Sequence, residues 1–423
     1  MTFNPFAEKG IPLNEQFLTW KQINTLPYNK EQVHPFTRAH IILLNALETE
    51  AVFFLHMLLS KTENPELRKE ISLLCRAEQQ QQKQINWLIP FQESPVEMAI
   101  CYEATEAGLA SAIAQNEPDD RILSALEFIM IEDIDHLYRF SNLYQYSDET
   151  PADWLVRNLL EIFPGRPSVI SHRHPIDTVC APIDFSKSHI KTLINCLLIS
   201  SLEFQTNNFL SNIGNRIIDK EGRALFQEIA QVEEQHLTIA NSLIDPSFPA
   251  IEMLMLIQYT ECYLYHSVMC SENDERIREI WNSNLQFEIG HLQFTNKLIE
   301  RHYEKNGLSE IYPSEIPELA ILFPHKPYLR HSEVYQIRKN LENGQFIPMW
   351  ESKKMDRYHS FLKSINQNFV PSQKIIEQVI ERNGYDYRVE SEGDHPVRLF
   401  RNRHIVPAQD ELLENFHRKD LLR

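Results

Sequence analysis

The stretch Gln227–Leu243, QEIAQVEEQHLTIANSL, decides how the chain is read. At about 100° per residue, a helix places Ile229, Glu233, His236 and Ala240 on one face, so an acid and an imidazole stand a turn apart on an apolar stripe. Glu288 and His291 repeat the pair in FEIGH, and Asp133 and His136 repeat it with aspartate in EDIDH. A lone glutamate lies in an apolar helical run upstream of each: Glu203, Glu261 and Glu106. Spacing alone is weak, because composition also supplies Glu31/His34, Asp356/His359, Glu392/His395 and Glu414/His417.

Register separates the first group from the rest. Moved back by 155 residues, Glu203, Glu233, His236, Glu261, Glu288 and His291 fall on Glu48, Glu78, Gln81, Glu106, Asp133 and His136, with no insertion. Phe209-Leu210, Leu243-Ile244, Glu252-Met253 and Thr260 fall on Phe54-Leu55, Leu88-Ile89, Glu97-Met98 and Thr105 at the same shift. The chain therefore carries an internal duplication.

Working outward, residues 1–36 read as an arm broken by Pro12, Pro27 and Pro35. Residues 37–145 and 189–306 each read as four amphipathic helices. Pro95 suits a first helical turn, and Asp119-Asp120 suits a helix amino terminus. Residues 146–188, with Pro151, Pro164, Pro167, Pro175 and Pro182, read as a linker with one short helix at most. Residues 307–423 form an extension with helices expected near 332–343, 353–367 and 371–383, and a hairpin around Val389–Phe400.

Composition narrows the function classes. Only 10 glycines in 423 residues and 24% charged residues suit a helical protein. A formal charge of −18 argues against nucleic acid and anionic membrane surfaces as partners. No uninterrupted apolar run looks long enough to cross a bilayer, and the amino terminus lacks a signal-peptide layout, so a cytoplasmic protein is expected. Six scattered cysteines without C-x-x-C give no support to structural zinc or an iron–sulfur cluster. No G-x-S-x-G, P-loop, H-E-x-x-H or dinucleotide fingerprint is present.

A carboxylate on an inward stripe must be neutralised, paired or bound to a cation. Antiparallel packing of residues 189–306 would bring four carboxylates and two imidazoles to one level, the donor set for two adjacent divalent metals. The bland alternative is solvated glutamates and core histidines paired with neighbours. Tyr102, Tyr138, Tyr259 and Tyr265 are most simply core.

The order Glu … Glu-x-x-His … Glu … Glu-x-x-His in residues 191–305 resembles the ferritin-like di-iron carboxylate superfamily. The resemblance implies an all-α fold of two tandem ferritin-like four-helix bundles with a mostly helical C-terminal extension. It implies Glu203 and Glu261 as single-carboxylate ligands, Glu233 and Glu288 as bridges, and His236 and His291 as terminal nitrogens. Two iron ions, or manganese, would occupy the second bundle. The first bundle would offer a further site at Glu48, Glu78, Glu106, Asp133 and His136, with Gln81 where a histidine belongs; Glu50, Glu103 and His56 could compensate, but nothing in the sequence selects them. The function implied is a dimetal oxidoreductase that activates dioxygen or peroxide to oxidise a small organic substrate, fed by an electron donor. A ferroxidase and a metal-free helical scaffold stand as alternatives. Oligomeric state and catalytic residues are left open.

Overall fold

The computed structural model describes residues 3–148, 151–157, 159–162, 174–303, 312, 316–320, 339–342, 345–348 and 356–384. Eight long helices dominate: α1 Pro35–Lys61, α2 Pro65–Asn86, α3 Pro95–Ala114, α4 Asp120–Asp148, α5 Ile190–Ile213, α6 Lys220–Leu243, α7 Ala250–Ser271 and α8 Glu275–Tyr303. Two shorter ones follow, α9 Asp356–Asn366 and α10 Pro371–Asn383.

Local chemistry explains the starts. Asn64 Oδ1 accepts from the Glu66 and Leu67 amides ahead of Pro65. Ser94 and Glu97 close a capping box in front of Pro95. Asp219 accepts from Gly222 N at 2.6 Å. Each such cap contributes about 1 kcal/mol by satisfying an otherwise orphaned amide.

The eight helices pair as hairpins, α1 with α2, α3 with α4, α5 with α6, and α7 with α8. How the hairpins combine departs from the tandem expectation. α7 packs on α1 and α8 on α2, while α3 packs on α5 and α4 on α6. Each four-helix group thus takes one hairpin from each repeat. α1 and α5, equivalent under the 155-residue shift, lie against each other at the centre, where Ser200 Oγ donates to Glu50 Oε1 at 3.2 Å.

Among the described residues α1 is the one helix long and apolar enough to cross a membrane, contrary to the sequence expectation. The burial of 61% of its apolar window, together with the inward Glu48, gives that apolarity a use inside the fold.

The proline-rich segment after α4 is more than a tether. It holds a helical turn at Asp153–Val156, and Leu155, Val156, Leu159, Cys180 and Ile183 are buried in the common core. In the extension, α9 and α10 match two expected helices. Where a third was expected near 332–343, Lys339–Glu342 is instead a strand, β1, paired antiparallel with β2, Gln345–Pro348. The hairpin expected around Val389–Phe400 lies outside the described residues.

Arm and extension each cover one group. Gly10, at φ +61, approaches Gly290 on α8 so closely that a Cβ on Gly290 would stand 1.9 Å from Ile11 O. This crossing brings Gln16 onto α8, where its amide donates to Phe287 O at 2.9 Å. On the other group α10 packs against α4 and α6, and Arg139 joins Asp135, Glu228 and Ser372 at 2.7, 3.1 and 2.7 Å.

Candidate metal centres

The six residues expected to converge within the second repeat do not. Glu203, Glu233 and His236 meet Asp133 and His136 of the first repeat, while Glu261, Glu288 and His291 meet Glu48 and Glu78. The physical reason is the exchange of hairpins: the inward acids of α5 and α6 face those of α3 and α4, while α5 also touches α7. Likewise the first-repeat set Glu48, Glu78, Glu106, Asp133 and His136 is divided, with Glu106 beside Glu203 and Asp133.

In the α3–α6 centre two overlapping quartets could each hold a metal ion. Glu103, Asp133, His136 and Glu233 offer donor atoms within 4.8 Å of one another, as do Asp133, Glu203, Glu233 and His236. Asp133 and Glu233 belong to both. All of these side chains are buried. Among the described residues, the Glu106 carboxylate, also fully buried, accepts no hydrogen bond at either oxygen, and neither does that of Asp133. Glu103 and Glu203 meet histidines only through long contacts, 3.3 and 3.5 Å.

One hydrogen bond sets the chemistry of His236. Its Nε2 lies 2.7 Å from Glu132 Oε2, an acceptor, so Nε2 carries the proton. Nδ1 then turns a lone pair toward Glu233, Asp133 and Glu203 at 3.2, 3.4 and 3.5 Å. A lone pair facing three carboxylates is stable only with a cation between them, a metal or a second proton on the ring. A carboxylate behind a ligating histidine is the usual partner that orients such a ring.

Electrostatics follow from burial without compensating charge. Burial, then the neighbouring acids, pushes the Glu106 carboxyl well above the usual range; burial, then Glu203, does the same to Asp133. Burial lifts Glu203 to about 8 and Glu103 to about 7. For His136, burial works downward, but Glu233 and Glu103 outweigh it and raise the imidazole well above its ordinary value. His236 behaves likewise beside Glu233 and Glu203. Burial would raise Glu233 too, yet the two imidazoles hold it below the ordinary carboxylate range.

The α1/α2/α7/α8 centre is the counterpart under the 155-residue shift, and it is poorer in donors. Glu78, Glu288 and His291 form one group, and Glu48, Glu78 and Glu261 another, each within 4.8 Å. Gln81 stands in the place of His236 and Gln258 in the place of Glu103. Gln258 Nε2 donates to Glu78 and Glu261 at 2.9 and 2.6 Å. Gln81 Nε2 donates to Glu288, with a longer contact to Glu78. Tyr265 Oη donates to Glu48 Oε1 at 2.5 Å.

Sequence reasoning missed the residues behind the histidines. Glu132 was legible only as the neighbour of Asp133, and Gln16, in the arm, carried no signal. Glu103, named from the sequence as a possible compensating donor that nothing selected, stands a turn before Glu106 on α3. Two further histidines, His174 and His189, serve as caps, accepting from the Ile176 and Lys191 amides.

Removing the outer partner has a defined consequence. Glu132→Ala is expected to weaken metal binding at the α3–α6 centre about 10- to 100-fold. Glu132→Gln, whose amide oxygen still accepts from Nε2, should cost much less. Chelator competition reads both, and equal affinity in Glu132→Ala and wild type would refute the role given to Glu132.

No protein-family model, no curated protein and no solved structure matches this chain.

Proposed function

We propose that the α3–α6 centre holds two first-row divalent metals, iron foremost, and that the protein is an oxidoreductase acting with dioxygen or peroxide on a small organic substrate. The observation that carries this reading is the fixed His236 tautomer, with its Nδ1 lone pair facing three buried carboxylates. The donor set fits: each quartet supplies one imidazole nitrogen and three carboxylates, and both share Asp133 and Glu233. The sequence resemblance to ferritin-like di-iron proteins points the same way. When bound, such a pair supplies redox equivalents and Lewis acidity.

The chain's own residues supply placement. Asp133 and Glu233 stand where they reach both positions, and Glu132 fixes the ring of His236. Glu103 stands beside His136 and completes the first quartet. A substrate oxidase is favoured over a ferroxidase by a cavity of about 430 Å³ between α6 and the extension, walled by Val232, Phe361, Ile365 and Phe369. Gln235 lines the cavity and lies 3.4 Å from Glu132 Oε2, the atom that accepts from His236. An apolar space of this size suits a small, mostly apolar molecule.

The reading is tested by loading the protein with Fe(II) anaerobically, then admitting oxygen. Glu233→Ala removes a carboxylate common to both quartets and should lower the metal content by two per chain and abolish oxygen uptake. Metal content unchanged in that variant would overturn the proposal. Oxygen uptake that tracks added Fe(II) and ignores blockage of the cavity by Val232→Trp would favour the ferroxidase.

A further inference from the structure

We propose that the α1/α2/α7/α8 centre is a site for a single divalent cation held by Glu78, Glu288 and His291, with the amide of Gln81 and the Tyr265 hydroxyl filling the place of a second. The comparison rests on the two-metal reading of the α3–α6 centre, but the site is argued from its own atoms.

The first observation is a tautomer fixed from outside. Gln16 Nε2 donates to Ile11 O and Phe287 O at 2.7 and 2.9 Å, which turns Gln16 Oε1 toward His291. That oxygen lies 2.5 Å from His291 Nε2, so Nε2 bears the proton. His291 Nδ1, fully buried, faces Glu78 Oε1 and Glu288 Oε2, both at 3.1 Å, an arrangement stable only with a cation there, a metal or a second proton on the ring. A divalent cation with one nitrogen and two carboxylates suits that gap.

The second observation is what has become of the other position. Its equivalent in the α3–α6 centre is completed by the nitrogen of His236, and Gln81 offers no comparable donor. Gln81 Nε2 instead reaches Glu288 Oε1 and Glu78 Oε2, the carboxylate oxygens turned away from His291. Tyr265 donates to one oxygen of Glu48, while Gln258, in the place of Glu103, donates to Glu261 and to Glu78 Oε1 on the side of His291. Among the described residues, Glu48 Oε2 and Glu261 Oε1 are the oxygens of these four carboxylates left without a hydrogen bond, whereas in the α3–α6 centre both oxygens of Glu103, Glu106, Asp133 and Glu203 are left so. Amide and hydroxyl hydrogens thus occupy acceptors that a second cation would need.

The test is the Fe(II) content of the full chain, loaded anaerobically with Fe(II) alone and freed of excess, with helical content checked by circular dichroism. Wild type should hold three ions, His291→Gln two, the double variant His136→Ala/His236→Ala one, and Gln81→His four. Wild type holding two ions, unchanged by His291→Gln, would overturn the proposal and spare the two-metal reading. Wild type holding four, unchanged by Gln81→His, would also overturn it. Wild type holding one, lost in His291→Gln and kept in the double variant, would uphold it while removing the two-metal reading.

Discussion

Divided within residues 163–173 and produced as two separate pieces, the chain should yield two fragments that bind no metal tightly, and mixing them should restore both centres. The amino-terminal piece carries α1 to α4 and the carboxy-terminal piece α5 to α8. Each piece therefore holds only part of the donors of each centre: Glu103, Asp133, His136, Glu48 and Glu78 on one side of the cut, Glu203, Glu233, His236, Glu261, Glu288 and His291 on the other. The faces left bare include α1 against α5 and α7, α2 against α8, α3 against α5 and α4 against α6. Leu44, Leu47 and Ile199, nearly fully buried in the intact chain, lie on these central helices, and burying each is worth about 1.5–3 kcal/mol. Exposing such stripes beside unpaired inward acids leaves each fragment well below the margin of about 5–15 kcal/mol that a folded domain has. Metal content and circular dichroism of the fragments, alone and mixed, decide the matter. A carboxy-terminal fragment that bound two ions unaided would restore the tandem arrangement and refute the exchange of hairpins.

Stripped of metal, the protein should be most stable in mildly acid solution and lose stability as pH rises from about 4.5 to about 8. Glu203 and Glu103 have folded-state values raised to about 8 and about 7, from an ordinary 4.5. A raised carboxyl contributes stability that is complete below its unfolded value and disappears as pH climbs through its folded one. Glu106, Asp133, His136 and His236 are raised as well and act in the same direction. Glu233, held low, acts oppositely, but its window lies below pH 4.5. One pKa unit is worth about 1.4 kcal/mol, so the combined loss is on the order of several kcal/mol. Under the proposed reading, bound metal would take over the neutralising role of these protons and release them on binding. At 1,000 times its Kd, a ligand contributes about 4 kcal/mol, a rise of roughly 5–10 °C in the unfolding temperature, with the largest gain near pH 8. Calorimetry at pH 5 and pH 8, with and without Fe(II), checks both signs. A metal-free protein more stable at pH 8 than at pH 5 would contradict the burial of these acids without cations.

Particular residues show how much of this was legible. Pro65, Pro95 and Asp119-Asp120 mark helix starts by local chemistry, and the structure begins helices at Pro65, Pro95 and Asp120. Inward Glu48, Glu106, Glu203 and Glu261 were legible because an acid on an apolar stripe stands out whatever the stripe packs against. What packs against it was not. The 155-residue register says that α1–α2 is equivalent to α5–α6, yet both arrangements of the hairpins bury the same stripes, and periodicity cannot distinguish them. Gln16 was beyond reach for a related reason: its place depends on Gly290 letting the arm cross α8, a contact 274 residues away in sequence. The strand at Lys339–Glu342, where a helix was expected, is paired only with its neighbour at Gln345–Pro348.

The hairpin exchange bears on where such a chain came from. A protein made of one repeat would own half of a donor set and could complete it only with a second copy, turned about a two-fold axis so that each subunit lent a hairpin to the other. Two identical centres would then arise from one gene, and neither could change without the other. Joining the copies in a single polypeptide breaks that symmetry. His236 and Gln81, or Glu103 and Gln258, now vary independently, so one centre can keep its full complement while the other is remodelled.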